Sequence, residues 1–144
     1  MNALRSIFAS LVVLLGLGAL DAHAADGAVQ VVYHLMEGQA QATRAVNNVR
    51  NHLDADPSVK IVVVTHGQGI DFLLAGAQDA QGRPFASAIG ELANRGVQFR
   101  VCNNTLTARN IAKDKVVMEA SVVPSGVAEV ARLQAREGFV YLRP

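Results

Sequence analysis

Two kinds of apolar spacing alternate along this chain, and their order predicts its elements. Residues 28–35 are β-branched and apolar and run out near Gly38, which predicts a first strand. From 39 to about 55 the apolar positions Ala42, Ala45, Val46, Val49 and Leu53 recur at the helical period, with Pro57 marking the end. Ile61, Val62, Val63 and Val64 form an unbroken run into Thr65, the pattern of a strand covered on both faces. That run breaks at His66-Gly67-Gln68-Gly69. A short apolar segment, 70–77, follows and reads as helical, and 78–83 reads as a loop. Pro84 suits the first turn of a helix whose face is Phe85, Ala88, Ile89 and Leu92, with Gly96 at its C-terminal cap.

The second half repeats the alternation. Residues 97–102 predict a third strand, 104–110 a short helix, and 116–123 a fourth strand. Pro124-Ser125-Gly126 opens a last helix with Ser125 as N-cap, Val127, Val130 and Ala131 on its inner face and Gly138 at its end; 139–142 is a short fifth strand. Strands alternating with helices predict an α/β fold of three layers: about five strands in a mainly parallel sheet, with helices on both faces. The strand order does not follow from this pattern.

The first residues interrupt the alternation. Arg5 supplies a positive start, 7–20 an apolar stretch, and Ala22-His23-Ala24 a small-x-small cleavage site. These features predict a cleavable signal peptide over 1–24 and a single domain over 25–144, hence a periplasmic protein. The apolar stretch is shorter than the roughly 20 residues a spanning helix needs, so no membrane anchor is expected. The chain has 144 residues, with 13 Lys and Arg against 12 Asp and Glu, a formal net charge of +1. No block of like charge stands out, which argues against nucleic-acid or membrane-surface partners.

A single cysteine, Cys102, changes the picture, because a lone thiol in an oxidising compartment has no internal disulfide partner. It sits where the third strand ends and a helix opens, so the amides of Asn103, Asn104 and Thr105 and the helix dipole favour its thiolate. In open α/β sheets ligands bind beyond the carboxyl ends of the strands. The first strand delivers Tyr33 and His34 near that edge, and the second delivers His66. An imidazole there takes a thiol proton or, when charged, stabilises a thiolate; the alternative is that each histidine simply ends a strand. The spacing of His34, His66 and Cys102 matches no local metal-ligand pattern, so no metal is expected, and no cofactor either. The Gly67 and Gly69 turn lacks the further Gly, or the Gly-Lys-Ser/Thr, of a nucleotide loop. No Gly-x-Ser-x-Gly elbow occurs. Asp71 reads as a cap or as a partner for His66. Arg100 reads as meeting solvent or another subunit, and Arg109 as complementing the dipole of the short helix.

Residues 96–106, Gly-Val-Gln-Phe-Arg-Val-Cys-Asn-Asn-Thr-Leu, followed by Ala108-Arg109-Asn110-Ile111, resemble the DsrE/DsrF-like family of sulfur-relay proteins. So do Val31-Val32-Tyr33-His34, Val63-Val64-Thr65-His66-Gly67 and residues 122–129. The resemblance implies a five-stranded, mainly parallel sheet and assembly into homo-oligomeric trimers or hexamers, or hetero-oligomers with related subunits. It also implies sulfur donor and acceptor proteins as partners, and it carries the persulfide-bearing role onto Cys102. The expected function is therefore a periplasmic sulfur carrier or sulfurtransferase-like subunit, with His34, His66, Asn103 and Asn104 as binding residues around Cys102. The competing expectation is a non-catalytic oligomeric module, binding a small ligand or purely structural, in which Cys102 is buried.

Overall fold

The computed structural model describes residues 27–144; the expected signal peptide lies outside the described residues. Five strands, β1 (Gln30–Leu35), β2 (Lys60–Thr65), β3 (Gln98–Cys102), β4 (Ala120–Val123) and β5 (Val140–Leu142), form one sheet in the order β4-β3-β2-β1-β5. Every pairing is parallel. The helices are α1 (Gln39–Ala55), α2 (Phe85–Asn94), α3 (Asn103–Ala108) and α4 (Gly126–Glu137), with short 3-10 segments at Gly67–Leu73 and Lys113–Lys115. None of the described helices is long and apolar enough to cross a membrane.

The strand order decides which face each helix covers. From β1 through β4 the chain steps across the sheet in one direction, so right-handed crossovers place α1, α2 and α3 on the same face. The return from β4 to β5 runs the other way and puts α4 on the opposite face. The larger core lies under the first set, where Tyr33, Leu35, Val63, Phe99 and Val101 meet Val49, Ile70, Ile89, Leu92 and Leu106. The smaller core lies under α4, where Val32, Val62 and Val64 meet Val130, Leu133 and Phe139. Buried from both sides, β2 has no exposed residue after Lys60, which explains its unbroken apolar run.

Several boundaries differ from expectation for physical reasons. Residues 116 and 117 do not extend β4; they lie across the 3-10 segment, with Leu74 and Val116 forming an antiparallel bridge. The segment after β2 coils as a 3-10 helix beginning at Gly67, earlier than the apolar stretch suggested. On α4, Val127 is exposed and so is Ala131, while Glu129 and Leu133 join Val130 on the buried side. A carboxylate holds an inner position because Arg100 of β3 and Arg132 of α4 both pair with it. Arg100 is thus tied within the fold rather than left to solvent. Gln41 is a second buried polar group: its Oε1 accepts from the backbone N–H groups of Met36 and Glu37 at 2.9 and 2.8 Å, fixing the turn that leaves β1.

Candidate functional site

The turn of direction between β3 and β4 creates the site. The connection leaving β3 goes to one face and the connection leaving β4 goes to the other, so the carboxyl ends of these two neighbours form a topological switch point, the place where ligands bind in open α/β sheets. Cys102, paired in register with Val123, is the last residue of β3 and the residue that caps α3. The N-termini of α3 and α4 therefore converge on one sulfur, whereas the sequence pointed only to α3.

Gly126, the first residue of α4, makes the close approach feasible. A Cβ built there would lie 3.0 Å from the Thr65 carbonyl oxygen and 3.2 Å from the Cβ atoms of both Cys102 and His66. Burial raises the pKa of the Cys102 thiol, but the Gly126 amide, the Thr105 hydroxyl and the amides of Thr105 and Asn104 outweigh it and hold the pKa below the ordinary thiol value. The expected contributions of the Asn104 and Thr105 amides are present; the Asn103 amide is not among these groups. Thr105 Oγ1 accepts from the Gly67 amide at 3.0 Å, which leaves its own hydrogen for the sulfur. The thiol is nonetheless only 4 % exposed, so it favours the anion while lying under cover.

His34 and His66 lie on the same face of the sheet as Cys102, because each follows a residue of the α4-side core by two positions. Their rings are 4.8 Å apart at 39°. His34 Nδ1 meets the Tyr141 hydroxyl of β5 at 2.9 Å, while its Nε2 and the Nε2 of His66 are both buried without any partner. Burial, the neighbouring His66 and Arg143 push the His34 pKa down, and burial does the same for His66, so both rings are neutral near neutral pH. The thiolate is therefore favoured by amides and a hydroxyl and does not depend on an imidazolium. Tyr33, adjacent in sequence to His34, points to the other face and meets His52 Nδ1 at 3.0 Å. Among the described residues, no three His, Cys, Asp or Glu side chains gather as a metal-binding group.

Asp71 neither caps nor touches a histidine. It accepts from Arg109 at 2.6 Å, and the same guanidinium donates to the Gly67 carbonyl at 3.1 Å. Arg109 thus ties the turn carrying His66 to the end of the helix that starts at Cys102. The Thr105 hydroxyl, Gly126 and Tyr141 were not picked out from the sequence; the one local signal for the hydroxyl and for Gly126 was that each residue stands in the first turn of a helix leaving a strand end.

Replacing Thr105 by valine keeps the shape and removes the hydroxyl. We expect the pH midpoint for alkylation of Cys102 to rise by about one unit, since a hydrogen bond to a charged group is worth roughly 1.5 kcal/mol. An unchanged midpoint in rate-against-pH labelling with iodoacetamide would show that the hydroxyl does not face the sulfur.

The model of the DsrE/DsrF-like family matches residues 28–143. The structure is similar to that of MTH1491 from Methanobacterium thermoautotrophicum, a protein of unknown function, with a TM-score of 0.71 and 32% identity over 81% of this chain and 99% of that one. It also shares its fold with the ychN protein from E. coli, at a TM-score of 0.64 and 11% identity over 82% of this chain and 99% of that one. No curated protein matches the chain.

Proposed function

Because the chain belongs to the DsrE/DsrF-like family, we propose that it is a sulfur carrier or sulfurtransferase-like subunit in which Cys102 bears a persulfide. The observation that carries this reading is the convergence of the α3 and α4 amides and the Thr105 hydroxyl on Cys102, which favours the form of the thiol that accepts sulfur. The Cys102 thiolate attacks the terminal sulfane sulfur of a polysulfide. A new S–S bond forms to Sγ, the donor's S–S bond breaks, and the electron pair leaves on the shortened polysulfide. The bound sulfur then passes to an acceptor thiol, and Cys102 leaves as a thiolate. A thiol that is acidic in the fold serves both steps, as attacking group and as leaving group.

The proposed setting is the periplasm, on the strength of Arg5, the apolar residues 7–20 and the Ala22-His23-Ala24 site. Assembly into homo-oligomers, or with related subunits, and the service of a sulfur donor and a sulfur acceptor protein belong to the same proposal. Reduced protein incubated with polysulfide is expected to gain the mass of one sulfur atom, and the Cys102→Ser variant to gain none. A wild-type protein that gains nothing would sink the reading.

The 4 % exposure of Cys102 supports a second reading, an oligomeric module in which the thiol is structural. Labelling of the native protein separates the two. Modification that proceeds without denaturant, with a midpoint below the free-thiol value of about 8.5, supports the carrier. Silence until denaturation supports the structural module.

A further inference from the structure

Amides and the Thr105 hydroxyl stabilise the thiolate, so the imidazole pair is left without a task. Two buried ring nitrogens with no partner require an explanation, since buried polar atoms are nearly always paired unless they serve chemistry or a ligand. His34 is 9 % exposed and its Nδ1 is taken by Tyr141 on β5, which leaves its Nε2 open; its ring lies 4.8 Å from that of His66, and the Cβ atoms of His66 and Cys102 both flank Gly126, each 3.2 Å from where a Cβ would stand there. A neutral imidazole with an open nitrogen, on the same face and edge of the sheet as the reacting cysteine, is suited to take a proton.

We infer that the His34–His66 pair is the general base for the second half of the exchange, removing the proton of the acceptor thiol that collects sulfur from Cys102. This rests on the persulfide reading above. An Nε2 takes the S–H proton of the acceptor, and the acceptor sulfur bonds to the outer sulfur of the Cys102 persulfide. The bond from that sulfur to Cys102 Sγ then breaks, with the electron pair on Cys102. The acceptor becomes a persulfide, Cys102 becomes a thiolate, and the imidazolium returns its proton to that thiolate. One thiol and one persulfide enter and one of each leaves, so no oxidant or reductant is needed. Tyr141 acts as a positioning residue, because its hydroxyl sets which way the His34 ring faces.

The proposal separates acceptors by whether they carry a proton. Full-length protein is loaded with polysulfide, freed of excess reagent and mixed at pH 8 with either 2-mercaptoethanol, which must lose a proton, or sulfite, which has none to lose. Loss of the extra sulfur is followed by mass. In His34→Gln/His66→Gln, transfer to the thiol is expected to slow roughly 100-fold while transfer to sulfite is unchanged. Tyr141→Phe should slow the thiol reaction alone by a smaller factor, and it keeps the test usable should the double variant fail to fold. Equal slowing with both acceptors, or no slowing with the thiol, overturns the inference while leaving the persulfide reading intact. Absence of any loaded sulfur on the wild-type protein removes both.

Discussion

Gly69→Ala is expected to lose about 4 kcal/mol or more of stability, enough to unfold much of the population of a domain whose total lies near 5–15 kcal/mol. A Cβ at this position would stand 2.3 Å from the Leu35 carbonyl oxygen, 2.5 Å from its carbon and 2.7 Å from the Met36 nitrogen. These are backbone atoms at the end of a strand buried from Val31 onward, pinned by Gln41, so they have no rotamer by which to yield. The same packing seats the turn that carries His66, whose amide donates to the Leu35 carbonyl at 3.1 Å and whose carbonyl accepts from the Gly69 amide at 2.9 Å. Any surviving folded protein should therefore also lose the close approach of His66 to His34. Urea denaturation followed by circular dichroism measures the loss. A midpoint within a few tenths of a molar of the wild type would mean that the β1 end is far more yielding than its hydrogen bonds imply.

Gly126→Ala is expected to act on chemistry and stability together. The contacts at 3.0 and 3.2 Å are tighter than ordinary packing but not prohibitive, so the start of α4 moves outward by a few tenths of an ångström. Overpacking of this kind costs about 1–3 kcal/mol. Exchanging Gly for Ala in a helix returns at most about 1 kcal/mol, and less at its first position, so the net effect is destabilising. Moving the Gly126 amide away also lets the Cys102 pKa rise towards the free-thiol value of about 8.5. A thiol with a depressed folded pKa contributes stability that is fully present above its unfolded value and is lost as pH falls through its folded value. The gap in stability between wild type and Gly126→Ala should accordingly widen as pH rises through that window and stay constant below it. Parallel denaturation curves at pH 6 and pH 9, with the alkylation midpoint measured on both proteins, test this. A gap independent of pH would mean that the amide does not act on the sulfur.

The fold was largely legible along the chain, because β2 had to read as a continuous apolar run if both its faces were to be covered, and α1 kept its apolar stripe at positions 42, 45, 46, 49 and 53. The misreadings share a cause. Val127 and Ala131 looked like the inner face of α4, and Glu129 was not placed there, because the partner that makes burial of that carboxylate tolerable, Arg100, lies on a strand outside the helix. Val116 and Val117 looked like strand, but they pack on a 3-10 segment that no local pattern announces. The site was legible to the extent that strand ends are: His34, His66 and Cys102 do share one edge and one face. The second helix terminus at Cys102 was not legible, since it follows from β5 lying beside β1, a fact about strand order. The role of Tyr141 was hidden for the same reason, as its bond to His34 joins residues 107 positions apart.

That last contact sets an order of events during folding. β5 is an edge strand of three residues, all exposed, held to β1 by three register pairs. Contacts of such long sequence separation form late, after the loop between them has been closed, whereas β1, β2 and β3 gather from nearer neighbours. The larger core is accordingly expected to assemble before the His34 ring is oriented, and the least protected strand is the one that completes the reactive edge. Fraying of the carboxyl terminus would then silence the proposed chemistry while leaving the bulk of the molecule folded, so inactivation is expected to precede unfolding.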